Sequence, residues 1–220
     1  MRIQIKISSN TQPVPFDYQQ KLVGTIHKWI GQNDLHGEVS LYSFSWLTNG
    51  SIRNNHLEFK NGSSMFLSFY DDNVIKQIVR SILDSPEMFC GMNVYEVNMV
   101  SDPDMTSRTS FACASPIFIK RRMEDGNLKH FTFNDIESGE LLKQSLLTKM
   151  RLAGMEEDET LEIHFDTSYA KKRIKLVHYH GIGNKASLCP VIIKGKPETK
   201  LFAWNVGIGN CSGIGFGAIF

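Results

Sequence analysis

The first hundred residues alternate two hydrophobic periods in an order that few folds accommodate. "RIQIKIS" (2–8) puts an apolar side chain at every second position, the pattern of a strand with one buried face. After Pro13 and Pro15, "DYQQKLVGTIHKWI" (17–30) changes to helical spacing, with Tyr18, Leu22, Ile26, Trp29 and Ile30 on one stripe. Asp17 and Gln20 read as a capping box, and Gly31 as the helix end. Strand patterns return at 40–47, 55–60 and 64–70, with Asn-Gly turns at 49–50 and 61–62. A second helix over 71–85 turns Val74, Ile75, Ile78, Val79 and Ile82 inward, and "NVYEVNMV" (93–100) closes the series as a strand. Strand, helix, two or three strands, helix, strand is the order of a ferredoxin-like βαββαβ unit.

Beyond a linker at 101–110, the order repeats less regularly. Strands are expected at 111–119, 126–133, 160–165, 173–180 and 188–194, and a helix at 137–154. Its apolar face carries Leu141, Leu142, Leu146, Met150 and Ala153. A short helix fits "PETKLFAWNV" (197–206), with Pro197 at the favoured first position. The prediction is an α+β chain of two tandem ferredoxin-like halves facing a central cleft, the second half degenerate. The expected domains are 1–100 and 111–220.

At 220 residues either half has enough chain to build a core. The net charge of +1 argues for no partner, but its distribution is uneven. Residues 135–166 hold nine acidic side chains against three basic ones, and 171–200 hold eight basic side chains against one acid. Lys120, Arg121 and Arg122 form a second basic cluster. Such segregation offers a cationic surface to a polyanion without making the chain basic overall. Cys90, Cys113, Cys189 and Cys211 form no CxxC pair, which fits reduced thiols. No leader-like or membrane-length apolar run is seen, so a cytoplasmic protein that does not engage a membrane is expected.

"NVGIGNCSGIGFGAIF" (205–220) packs Gly207, Gly209, Gly213, Gly215 and Gly217 into eleven positions. Glycine is costly to order, so the cluster implies unusual dihedrals or a close backbone approach. Two readings are open: a tight bend feeding a last edge strand, or a cradle of amides facing a phosphate. No Gly-Lys-Ser or Gly-Lys-Thr is present, which excludes a P-loop.

Both ends of the chain carry a family resemblance. "VPFDYQQKLVGTIHKWI" followed by "DLHGEVSLYSFSWL" resembles the start of Cas6 endoribonucleases, which process CRISPR precursor RNA. "VGIGNCSGIGFG" is similar to that family's glycine-rich signature, and "SPIFIKRR" to its second-domain opening strand. The resemblance implies metal-independent RNA cleavage through attack of a 2′-hydroxyl on the adjacent phosphate, giving a 2′,3′-cyclic phosphate and a 5′-hydroxyl. It places the general acid and base at His27 and His36, residue types suited to proton transfer near neutral pH. A lysine frequent in the family falls at Ser40 here, so Lys28 or Lys21 is the expected charge stabiliser. Lys120, Arg121, Arg122, Lys171, Lys172, Arg173, Lys185 and Lys194 are expected to grip the RNA backbone, beside the glycine-rich loop.

The implied partner is the CRISPR precursor RNA repeat, with pairing of two copies and hand-off to an effector complex as further expectations, and no cofactor or metal. Two rivals stand beside this reading. One is an RNA-binding scaffold of the same superfamily that has lost catalysis, favoured by Ser40 and Cys211. The other is a metal-dependent nuclease using His178 and His180 of "VHYHG", two apart on a strand.

Overall fold

The computed structural model describes residues 1–31 and 39–220. The chain runs β1 (Arg2–Ile7), α1 (Gln19–Ile30), β2 (Tyr42–Phe44), β3 (Ser51–Arg53), β4 (His56–Glu58), β5 (Ser63–Phe69), α2 (Asp72–Asp84) and β6 (Val94–Val100). There follow β7 (Ser110–Phe111), β8 (Ile119–Arg122), β9 (Leu128–Phe131), α3 (Ser138–Leu152), β10 (Glu162–Phe165), β11 (Arg173–Tyr179), β12 (Ile182–Leu188), β13 (Val191–Lys194) and α4 (Pro197–Val206).

In the N-terminal half, β2, β5, β1 and β6 form one antiparallel sheet in that order, the strand order of a ferredoxin-like unit. The alternation of β1 is literal: Ile3, Ile5 and Ile7 are fully buried, and they join Leu22, Ile26 and Trp29 of α1 and Ile75, Ile78 and Ile82 of α2 in one core. Helix α1 starts at Gln19 with no side-chain cap, because Asp17 falls in the preceding turn; the expected capping box does not form. Gly31 does end the helix, at φ 75°. The Asp71 side chain caps α2 through the Asn73 amide.

The C-terminal half repeats the plan in shorter pieces. Its sheet runs β10, β13, β7, and the Ala112 and Phe220 backbones exchange two hydrogen bonds that add the chain end as a fourth, edge position. Helices α3 and α4 cover this sheet, and Leu142, Leu146, Met150, Phe202 and Trp204 fill the core beneath them. The single strand expected at 111–119 is broken into β7, isolated bridges at Cys113 and Ile117, and the start of β8.

Two hairpins leave the sheets. β3 pairs with β4 around Asn54–Asn55, and β11 with β12 around His180–Gly181, both two-residue turns whose central residues have positive φ. Neither β3 nor β12 is among the expected strands: β3 falls between the expected turn at 49–50 and the strand at 55–60, and β12 between the strands at 173–180 and 188–194. His180 accordingly stands in a turn, not on a strand face with His178.

Arg2 joins the halves. Its buried guanidinium donates to Ser68 Oγ (2.6 Å), the Trp204 carbonyl (2.5 Å) and the Ile219 carbonyl (3.0 Å), and it lies between the rings of Phe66 and Trp204. A small third cluster of Phe118, Val177, Ala186 and Phe216 ties the β11–β12 hairpin to the glycine-rich stretch.

Candidate functional site

His27 lies on the flank of α1, one residue past the fully buried Ile26, and is half-buried. Its Nε2 is 3.4 Å from the Tyr42 hydroxyl, which donates to the Gly213 carbonyl at 3.1 Å. Tyr42 reaches there because β2 carries it inward, with its ring stacked on Phe69 at 4.8 Å between centroids. Burial pushes the Tyr42 phenol up to about 12, so it stays protonated at working pH. The Gln19 side-chain amide meets the Ile214 carbonyl and holds the start of α1 on the same turn. The seam between the first helix and the glycine-rich stretch is thus built by Gln19, His27 and Tyr42 from one side and residues 213–214 from the other.

The glycine stretch is a packed element. All five glycines are buried, and six backbone amides between Gly207 and Gly217 bind protein carbonyls. Gly217 has φ 69°, and a Cβ there would lie 1.9 Å from the Ile208 carbonyl oxygen. At Gly213 the obstacle is the other half of the molecule: a Cβ would meet Ser40 Oγ at 2.2 Å and the Tyr42 hydroxyl at 2.9 Å. The bend carries the chain into its last edge position, and Gly209 and the neighbouring residues 210–212 line the cleft described below.

Lys149 of α3 lies beneath the turn. Its Nζ donates to the Val206 carbonyl (3.1 Å), the Gly207 carbonyl (3.0 Å) and Ser212 Oγ (3.1 Å). The first two carbonyls belong to the C-terminal end of α4, where a cation complements the helix dipole. Full burial pulls this ammonium down to about 7. Sequence reasoning passed over Lys149, although it falls on the stripe of Leu142, Leu146 and Met150. A lysine on a buried stripe was the available signal.

A cleft of about 380 Å³ opens beside this floor, lined among others by Ser40, Lys120, Arg121, Asn210, Cys211 and Ser212. Asn210 is pinned to β8: its Oδ1 accepts from the Lys120 amide at 2.8 Å, and its own amide binds the Phe118 carbonyl. Arg121 reaches Gln144, and Arg122 donates to the Gly126 carbonyl at 3.0 Å. The Lys185 amide meets His130 Nδ1 at 3.3 Å, and that imidazole is lowered first by burial, then by Lys120 and Lys185. Lys120, Arg121, Arg122 and Lys185 therefore form one basic region on β8 and the neighbouring hairpin. Arg173 opens β11 on a separate groove with Lys175, beside Asp17 and Trp46. Lys171 and Lys172 occupy the turn before it, and Lys194 is paired with Glu162 at 3.0 Å on the C-terminal sheet.

Lys28 does not join His27. Its Nζ donates to the Ser85 and Glu87 carbonyls (3.2 and 2.6 Å) and to Ser85 Oγ (3.0 Å) in the segment after α2. Lys21 is exposed on the same helix. His36 lies outside the described residues. Among the described residues no group of three or more His, Cys, Asp or Glu is arranged to hold a metal, and no helix is long and apolar enough to cross a membrane.

Comparison with known proteins agrees at both levels. Residues 100–219 match the family model described as CRISPR associated protein Cas6, C-terminal. Among solved structures, one described as characterising a Cas6-related gene from Pyrococcus furiosus superposes with a TM-score of 0.86 at 22% identity, covering 100% of this chain and 97% of that one. A CRISPR associated protein Cas6 superposes at 0.84 with 20% identity over 100% and 98% of the two chains. An RAMP protein binding different RNA substrates gives 0.85 at 20% identity, again over 100% and 98%. No curated protein matches the sequence.

Proposed function

The chain belongs to the CRISPR-associated Cas6 protein family, and on that premise we propose that it cleaves CRISPR precursor RNA within its repeats without a metal. Residues 1–100 are the unit bearing the acid–base groups, and 111–220 the unit bearing the glycine-rich turn and most of the cationic grip. The observation that supports this reading is the position of His27, half-buried at the seam between α1 and the 213–214 turn, a turn whose preceding residues Asn210, Cys211 and Ser212 line a cleft edged by Lys120 and Arg121.

The chemistry needs two proton transfers. A base removes the proton of the 2′-hydroxyl, whose oxygen bonds to the adjacent phosphorus; an acid delivers a proton to the departing 5′-oxygen as the P–O bond breaks. His27 supplies one role. His36 supplies the other in this reading, on its place in the sequence. Lys120 and Arg121 position the phosphate backbone, a contact that orients RNA without reading bases. Ser40 stands where a lysine is frequent in the family, and its side chain packs on Gly213 and Tyr42, so developing phosphorane charge is met by the cationic cleft wall. Pairing of two copies and hand-off of product RNA to an effector complex belong to the same reading.

The test is cleavage of a panel of repeat RNAs in excess EDTA, with and without a 2′-deoxy sugar at the cut site. His27→Ala and His36→Ala should each lower the rate about 100-fold or more while leaving RNA affinity within a few-fold. The deoxy substrate should resist cleavage entirely. Tight binding with no cleavage by the unaltered protein would make the chain an RNA scaffold, and loss of activity in EDTA would return the metal-dependent alternative.

A further inference from the structure

We propose that the groove between the β3–β4 and β11–β12 hairpins holds one unpaired nucleotide of the RNA, its base stacked on Trp46 and its phosphate between Arg173 and Lys175. RNA as the occupant rests on the function proposed above; the groove itself does not. It has a volume of about 640 Å³, within the range of pockets that take a small ligand, and shares no lining residue with the Lys120–Arg121 cleft. Phe16, Ile52 and Leu176, from three separate segments, stand exposed around it. Arg173 and Lys175 are two apart on β11 and project from one face of the strand. Neither forms an ion pair among the described residues. The Lys175 ammonium is lowered first by burial and then by Arg173, a repulsion that an intervening anion relieves. A purely apolar partner would leave both cations unpaired, and a bare anion would leave the indole face unused. A nucleotide uses both.

Trp46 is fixed before anything binds. Its indole Nε1 donates to the Gly215 carbonyl at 2.9 Å, its backbone amide donates to the Ala114 carbonyl at 3.1 Å, and the Tyr18 ring packs edge-on at 6.4 Å between centroids. A side chain already held in its bound geometry loses little freedom when a ligand arrives. Lys175 Nζ lies over the indole, 4.3 Å from the ring centroid. A cation–π contact at an exposed position is weaker than the stacking of a base on an aromatic ring, so a base displaces the ammonium. The freed ammonium then has the nucleotide's own phosphate as a partner. Asp17, the carboxylate on the groove, repels a phosphate and accepts hydrogen from a base amine or a ribose hydroxyl, so it favours that side of the nucleotide. The Gly215 carbonyl that holds Trp46 is two residues from the Gly213 carbonyl that binds Tyr42. A nucleotide anchored here therefore fixes the RNA against the same turn that borders the His27 seam.

The probe is single-stranded hexa-adenylate, titrated into the full chain at low salt beside an abasic oligomer of the same length. Trp29 and Trp204 are buried, at 0% and 4% exposure, so quenching by a stacked base reports on Trp46, the tryptophan that lines the groove. We expect saturable quenching of tryptophan fluorescence by the adenylate and none by the abasic oligomer, which should bind about 10-fold more weakly. Trp46→Leu should abolish the quenching and cost about 10-fold in affinity for the adenylate, with affinity for the abasic oligomer within about twofold. Arg173→Ala and Lys175→Ala, both at exposed positions, should each weaken binding of either oligomer and lower its salt dependence by about one phosphate contact. Adenylate that fails to quench, or that binds Trp46→Leu as tightly as the unaltered chain, overturns the proposal, and so does quenching by the abasic oligomer. Should Trp46→Leu fail to fold, the abasic comparison and the two β11 variants still decide, and full affinity in both variants overturns it. If the adenylate results hold and no repeat RNA is cut, the endoribonuclease reading fails and the groove stands. If repeat RNA is cut and Trp46 is never quenched, the groove fails and that reading stands.

Discussion

The two halves follow one plan and put it to opposite uses. In the N-terminal half, strands of six and seven residues pair along their length, and a strongly amphipathic helix lifts a histidine out at its flank. In the C-terminal half, strands of two to four residues make a reduced sheet whose fourth position is two backbone hydrogen bonds at the chain end. There the organising element is the buried glycine-rich stretch, held by carbonyls, by Lys149 and by the edges of Tyr42 and Phe44. On the proposed function, one half contributes the acid–base side chain and the other a backbone frame with a cationic rim. A repeated fold therefore need not repeat its chemistry; the half with the poorer sheet is the one whose backbone geometry the site depends on.

If that division is right, the most damaging change outside the histidines is a single methyl in the frame. Gly217→Ala puts a Cβ 1.9 Å from the Ile208 carbonyl at a backbone φ of 69°, so backbone must move on both sides of the loop. We expect destabilisation of about 3 kcal/mol or more, read from chemical denaturation, because left-handed strain and overpacking act together. A stable Gly217→Ala protein with full RNA cleavage would break the comparison.

Much of this contrast could be read in the sequence, unevenly between the halves. The alternation of 2–8 and the stripes of α1 and α2 identified the N-terminal unit because long elements carry their period many times. The C-terminal sheet was harder, since two- and four-residue strands hold too few positions for a period to show, and β12 follows a His-Gly turn that composition does not announce. α4 was exact at both ends, with Pro197 opening it and Gly207 closing it. In the site, the position of His27 on a helix flank was legible, since it follows from a 100° step past Ile26. Tyr42 and Lys149 were not read as site residues, because their roles depend on which carbonyls the tertiary fold brings to them.

Lys149 gives an intermediate effect and a pH signature. Lys149→Met would leave the Val206 and Gly207 carbonyls and Ser212 Oγ without their donor, a loss of about 2–4 kcal/mol for buried acceptors. The ammonium is lowered from 10.5 to about 7 by burial, so between those values the unfolded chain binds more protons than the folded one. Stability of the unaltered protein from this group therefore rises with pH across about 7 to 10.5 and is flat below it. Lys149→Met lacks the rise, so the stability gap between the two proteins should widen as pH increases over that window. Denaturant midpoints at pH 7, 8 and 9 check the sign. A gap that stays constant over pH 7 to 9 would mean the ammonium is held charged by its three acceptors more firmly than burial opposes it, which would sharpen the picture of a cationic frame.

The smallest expected effect falls on the helix that carries His27. Lys28 is the adjacent residue, yet its Nζ is held by the Ser85 and Glu87 carbonyls across α1, with the Glu87 carboxylate 4.0 Å away. That carboxylate and the lysine are both substantially exposed, so the pair contributes little to stability. Lys28→Ala should leave the RNA cleavage rate and the affinity within about twofold, whereas Lys120→Ala should weaken RNA binding and flatten its salt dependence, as loss of one phosphate contact does. Comparing the two variants across salt concentrations locates the charge that meets the RNA. A drop in kcat in Lys28→Ala with unchanged binding would move charge stabilisation onto α1 and give the N-terminal half both the proton chemistry and the electrostatics; equal cleavage with a weakened Lys120→Ala keeps the electrostatics on the C-terminal rim.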